Sequence, residues 1–305
     1  MRILVSGSHG LVGMALLPAL AGKGHQVVRL VRGLSVAAGS EVSWDPEGGR
    51  LDPASLGGFE GVVHLAGESI AAGRWSESRK ARIRESRVKG TRLLAEALTA
   101  LPQPPRVFIS ASATGYYGDR GEEMLVEESP RGVGYLPEVC RAWEAATEPA
   151  ARIGIRVVSL RFGVILSPAG GALAKMLFPF KMGAGGILGS GRQYLSWISL
   201  EDAVGSILHA LATSPLRGPV NAVAPLPVTN AEFTKTLGRV LRRPTVLPMP
   251  AFALRLAFGE MADVLLLAST RVEPKRLLAS RYPFRHTELE GALQDLLARS
   301  SQQRP

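Results

Sequence analysis

The chain has 305 residues, of which 46% are hydrophobic and 20% charged, with a formal charge of +10. No apolar run reaches membrane-spanning length and no leader opens the chain, so the composition reads as a globular cytoplasmic protein with no membrane partner. The single cysteine, Cys140, excludes a disulfide framework, and the five histidines lack ligand spacing, so no metal is expected.

The basic residues are dispersed apart from Arg74 to Lys89, and aromatics make up only 6%, which argues against a nucleic-acid partner. The excess charge suits a phosphate-rich cofactor and an anionic small-molecule substrate.

Residues 2–6 read as a buried strand and 11–17 as the start of a helix. Between them Gly7, Gly10 and Gly13 form G-x-x-G-x-x-G. Gly7 permits the tight turn, Gly10 lets a pyrophosphate approach the backbone, and Gly13 lets helix and strand pack closely. The N–H groups of Ser8, Leu11 and Val12 then belong to a helix N-terminus that attracts phosphate.

Residues 26–32 form the second strand. It ends at Arg32 with no acid from Gln26 to Ser40. An NAD site carries a carboxylate there, whereas a 2′-phosphate needs a cation, so Arg32 reads as an NADP(H) ligand. Strands follow at 41–45 and 62–66, the latter ending at Gly67. His64 reads as a packed core histidine. Residues 74–98 suggest one long helix or two abutting ones.

A fifth strand spans 106–112. Residues 119–134 read as an exposed polar loop, 136–151 as a helix and 155–163 as a sixth strand. The alternation over about 160 residues predicts an α/β doubly wound parallel sheet with right-handed connections.

Beyond it, a helix near 173–178 is closed by Pro179, and the glycine-rich run 182–191 reads as either a lid or a plain surface loop. Ser199 is an N-cap, and 219–224 one more strand returning to the sheet. Short helices follow at 231–242, 251–268 and 288–299, and the last six residues should fray. The expected division is a Rossmann domain at 1–164 completed by 195–224. A smaller, mostly helical substrate or lid domain comprises 165–194 and 225–305.

These motifs resemble the short-chain dehydrogenase/reductase superfamily, in its extended, nucleoside-diphosphate-sugar epimerase-like branch. The closer likeness is to an atypical epimerase-like subfamily. The likeness spans almost the whole chain. It rests on the glycine turn, Leu65-Ala66-Gly67-Glu68, Arg74-Trp75, Ser86-Arg87, Ala113 to Gly118, Arg161 to Leu166, Ser196 to Ile198 and Thr229 to Phe233. Its most specific part is Gly185-Gly-Ile-Leu-Gly-Ser-Gly-Arg-Gln193. The resemblance implies NADP binding at Arg32, Leu65, Ala66, Arg87 and Ile165, and a homodimer.

The superfamily's chemistry uses a Tyr, a Lys four residues later on the same helix face, and a Ser on the fifth strand. Here the matching helix carries Leu136 and Cys140 in one register, Tyr135 and Val139 in the other. Substitutes from the same cleft are Tyr116 or Tyr117 as the phenol, Ser112 or Thr114 to hold a substrate oxygen, and Glu138 on the first helix turn. Cys140 has no neighbour in sequence that would activate it. The expectation is an NADP-dependent oxidoreductase or epimerase acting on a carbonyl or hydroxyl of a small polar, sugar-nucleotide-like metabolite. The alternative is a catalytically silent NADPH-binding sensor or scaffold.

Overall fold

The computed structural model describes residues 1–33 and 39–302. In chain order its first half comprises β1 (Arg2–Ser6), α1 (Leu11–Gly22), β2 (Gln26–Arg32), β3 (Glu41–Trp44), β4 (Gly61–His64), α2 (Glu77–Thr99), β5 (Val107–Ala113), β6 (Met124–Leu125), α3 (Tyr135–Ala145), α4 (Glu148–Arg152) and β7 (Arg156–Phe162). The second half comprises β8 (Val164–Ser167), α5 (Gly171–Lys181), β9 (Tyr194–Leu195), β10 (Trp197–Ser199), α6 (Leu200–Ala212), β11 (Gly218–Ala222), β12 (Val228–Thr229), α7 (Asn230–Leu241), α8 (Ala251–Phe258), β13 (Arg271–Val272), α9 (Lys275–Ala279) and α10 (Leu289–Gln302).

Seven parallel strands form one sheet in the order β3-β2-β1-β4-β5-β7-β11. Alternate residues of β1 serve opposite faces, as a two-residue period requires. Ile3 and Val5 join Leu16, Leu20 and Ile207 beneath α1 and α6. Leu4 joins Leu94, Leu98 and Phe108 beneath α2. Both faces are covered, which is why these strands are continuously apolar. The strand order reverses between β1 and β4, where a ligand crosses the carboxyl ends of such a sheet. A third cluster joins Leu173, Leu177, Trp197, Phe233, Leu237 and Leu293 under α5, α7 and α10.

Several local expectations change. Of the two readings left open for 74–98, the single helix is the one found, at 77–99, capped by Ser76 accepting the Arg79 N–H at 3.2 Å. The expected helix at 136–151 is two, α3 and α4, and 251–268 holds α8 and a π turn at Ala262–Leu266. Pro179 lies within the last turn of α5 instead of closing it. The stretch 119–134 is not simply exposed: β6 pairs with β13, and Leu125 is fully buried.

The glycine-rich run is pinned as well, Gly189 N–H donating to Met249 O and Met249 N–H to Ile187 O. Partners some 60 residues or more away in sequence hold both segments, so no local pattern announces them. Ser199 does cap α6, accepting the Asp202 N–H at 3.1 Å. The last helix runs to Gln302, into the stretch expected to fray, and 303–305 lie outside the described residues.

Candidate functional site

The turn after β1 is built by steric exclusion. Gly7 adopts φ 69°, and a Cβ there would lie 2.7 Å from the Leu65 carbonyl carbon and 2.8 Å from the Ala66 nitrogen. A Cβ on Gly13 would overlap the Gly7 carbonyl oxygen. Gly10, by contrast, meets only Gly7 O and is exposed, leaving the backbone open to a ligand. No side chain caps α1 and no acid lies in its first turn, so the N–H groups there remain available to an anion. The Ser8 hydroxyl is buried without a partner.

The loop after β4 is fixed from beneath. Ser6 Oγ lies 2.6 Å from His64 Nδ1 and accepts the Leu65 N–H at 3.2 Å. His64 is fully buried, and burial lowers its pKa to about 4. It is a neutral core histidine that anchors Leu65 and Ala66. Arg87 on α2 donates to Glu68 O at 2.9 Å and Ile83 O at 3.1 Å, with its guanidinium 5.0 Å from the Trp143 ring centre. A Cβ on Gly67 would come within 3.3 Å of that guanidinium, so glycine lets Arg87 lie across the loop. Burial lowers the Arg87 pKa. The fold also brings Ile165 and Leu11 together: the Gly170-Gly171 turn ahead of α5 packs on the Leu11 side chain and the Ile165 carbonyl.

Arg32 ends β2 with 72% of its side chain exposed. It borders a cavity of about 620 Å³ lined by Gly33, Ser43, Trp44, Asp45, Arg50 and Asp52. Arg50 is already held by Asp45 at 2.7 Å. Arg32 is held loosely, by the 87% exposed Glu47 at 3.8 Å. The sequence window ending at Ser40 missed this carboxylate, which the turn after β3 returns to the end of β2.

At the end of β5 and the start of α3 the structure redirects three candidates. Tyr117 is fully buried. Its hydroxyl donates to Asn221 Oδ1 at 2.7 Å, with Val126 O 3.0 Å away, and accepts from Arg161 at 2.9 Å; burial pushes its pKa up to about 12. Ser112 is 3% exposed and donates to Glu144 Oε1 at 2.7 Å. Glu138 faces outward, bound by Arg141 at 2.6 Å and Arg131 at 2.9 Å. Tyr116 is half-buried, its ring 3.5 Å from the Arg161 guanidinium, and its hydroxyl stands outside these pairings.

Arg161 holds Glu144 through Nε at 2.7 Å and a second nitrogen at 2.8 Å. Burial opposes its charge, but Glu144 more than offsets this and raises the pKa. This pair is the centre that sequence reasoning missed, and an acid and a base 17 positions apart carried no periodic signal. Cys140 is buried, which pushes its thiol up to about 12 and keeps it protonated. Among the described residues no His, Cys, Asp and Glu group could hold a metal, and no helix is long and apolar enough to cross a membrane.

The chain is similar to known proteins in sequence and in fold. The model of the NAD dependent epimerase/dehydratase family matches residues 3–222, and that of a domain of unknown function, DUF1731, matches 249–296. An epimerase family protein of Mycobacterium bovis is 45% identical over 291 residues, covering 95% of this chain and 96% of its own. The crystal structure of human epimerase family protein SDR39U1 with NADPH superposes with a TM-score of 0.88 at 34% identity, covering 98% of this chain and 99% of that one. A nucleoside-diphosphate sugar epimerase from Corynebacterium glutamicum gives a TM-score of 0.80 at 38% identity, covering 99% of this chain and 60% of the other. A glycine turn at the strand-order reversal and relatives matching nearly end to end lead to one assignment: the chain belongs to the NAD dependent epimerase/dehydratase family.

Proposed function

We propose that the chain binds NADP(H) across the carboxyl ends of β1, β2 and β4. On this reading it is an oxidoreductase or epimerase acting on a carbonyl or hydroxyl of a small polar, sugar-nucleotide-like metabolite, without a Tyr-x-x-x-Lys pair. The observation that carries the reading is the cradle after β1, where a Cβ on Gly7 or Gly13 would strike backbone and an uncapped helix N-terminus faces out. The buried, unpartnered Ser8 hydroxyl fits the same group.

In this arrangement the N–H groups of α1 hold the pyrophosphate and Arg32 the 2′-phosphate. Leu65 and Ala66 wall the adenosine half, and Arg87 orients the nicotinamide half. The bound cofactor supplies a hydride donor or acceptor. Residues 165–194 and 225–305 form the cap that excludes water, and residues 1–164 with 195–224 form the cofactor domain. The NADPH in the human relative's structure supports the choice of cofactor.

A second reading, a silent NADPH-binding sensor or scaffold, is favoured by one observation. Ser112, Tyr117 and Glu138 are each committed to protein partners, and the Cys140 thiol is held protonated.

Nicotinamide fluorescence titrated with NADPH and NADH separately tests the cofactor assignment. NADPH binds more tightly, and Arg32→Ala weakens it by about tenfold while leaving NADH nearly unchanged. Equal affinities in the wild type would remove the role given to Arg32. Cofactor oxidation across a carbonyl panel then separates the enzyme from the silent protein.

A further inference from the structure

One face of the cap is apolar and cationic: Arg239 and Arg255 pair with Glu290 and Asp263, but Lys181, Lys235, Arg242 and Arg243 have no such partner among the described residues. Phe178 and Met182 of α5 are 74% and 70% exposed, and Phe252 and Leu256 of α8 are 72% and 77% exposed. The segment that leads into α8 adds Val246 and Leu247, 76% and 57% exposed. The segments are contiguous. The backbone at Gly186 lies against the Leu247 carbonyl, Gly183 packs beside Pro244, and Gly189 N–H bonds Met249 O just ahead of α8.

Lys235, Arg239, Arg242 and Arg243 surround an adjacent cavity of about 520 Å³ at the end of α7. Arg239 is paired with Glu290. Among the described residues no carboxylate lies within ion-pair distance of Lys181, Lys235, Arg242 or Arg243. The two sequence stretches that build the face, 168–200 and 233–259, contain no Asp or Glu at all.

We propose that this face docks on the surface of an anionic lipid bilayer. Exposed Phe, Leu and Met side chains with unneutralised Lys and Arg beside them are what an interfacial contact requires: apolar groups enter the headgroup boundary while cations meet lipid phosphate. A second copy pairing through the same patch would set Lys181, Lys235, Arg242 and Arg243 against their own copies, with Glu290 and Asp263 already held by Arg239 and Arg255, and an isologous contact cannot relieve that. The expectation of no membrane partner rested on spanning length, which a surface contact does not need.

The full chain is sedimented with vesicles of phosphatidylcholine, alone or mixed with phosphatidylglycerol. Retention is expected on the mixed vesicles only. Arg242→Glu/Arg243→Glu reduces it by about tenfold or more, because each cation near such a surface contributes about fivefold. Phe252→Asp/Leu256→Asp reduces it similarly, and retained NADPH binding confirms that each variant is folded. No retention at low salt overturns the proposal. Retention that survives the Phe252/Leu256 variant is plain adsorption of a basic protein and also overturns it. Self-association without lipid that either variant abolishes would assign the face to a second copy instead.

Discussion

At the end of β2, Glu47 and a 2′-phosphate would compete for the Arg32 guanidinium. The Arg32–Glu47 pair is exposed on both sides at 3.8 Å, so it contributes at most about 1 kcal/mol. A 2′-phosphate binding Arg32 must displace Glu47 or lie beside it, and like charges repel. Glu47→Gln therefore tightens NADPH by about two- to fivefold, a gain that shrinks as salt screens it. NADH lacks the 2′-phosphate that Glu47 would repel, and a carboxylate can accept from a ribose hydroxyl, so Glu47→Gln should leave NADH unchanged or weaker. Paired titrations of the two cofactors at low and high salt decide it, and weaker NADPH binding in the variant would contradict the competition. The neighbouring Arg50 offers no such lever because Asp45 already holds it at 2.7 Å.

Among the elements, β1, its turn and α1 behave as one steric unit. A methyl on Gly13 would overlap Gly7 O, and Gly7 cannot retreat because it already abuts the Leu65 backbone. Gly13→Ala should cost about 1–3 kcal/mol in urea unfolding and abolish most NADPH binding. Gly22, at the far end of the same helix, has nothing within 4 Å of its added carbon. Gly22→Ala should be neutral or stabilise by up to about 1 kcal/mol with binding intact. Equal effects at the two positions would refute the cradle argument.

This unit was legible in the sequence because the signals that define it are local: strand period, glycine spacing and helix start lie within 22 residues. The Ser199 cap is legible for the same reason. The Thr229 capping box, with Glu232 three residues on, is equally local but passed unread within the Thr229 to Phe233 motif. The β6–β13 pairing, the Glu144–Arg161 ion pair and the return of Glu47 to Arg32 are long-range. Each joins residues that local periodicity does not relate. Of the proposed proton-transfer side chains, sequence placed Ser112, Tyr116 and Tyr117 at the end of β5 and Glu138 on the first turn of the helix that became α3. It could not see that Asn221, Glu144, Arg131 and Arg141 occupy three of them.

For the molecule as a whole, the buried histidine sets an acid limit on stability. His64 is neutral in the fold, with a pKa lowered to about 4 by burial from an ordinary 6.5. Once unfolded it protonates at the ordinary value. Between those two values the unfolded chain binds a proton that the native chain refuses, so stability rises with pH there and falls as pH drops from 6.5 towards 4. The slope approaches about 1.4 kcal/mol per pH unit, for a total of about 3 kcal/mol. Burial lowers the pKa of His209 too, which acts in the same sense. The net charge of +10 grows as surface carboxylates protonate, adding repulsion at the low end. His64→Asn keeps an acceptor for the Ser6 hydroxyl but does not titrate. It should be less stable at pH 7, because its smaller side chain loses the edge contact with Trp44. Its urea midpoint, however, should fall less steeply between pH 6.5 and 4.5, because the His64 contribution is gone. Parallel pH profiles for the two proteins would mean that His64 protonates without cost, and that the loop after β4 is not held from beneath by a neutral imidazole.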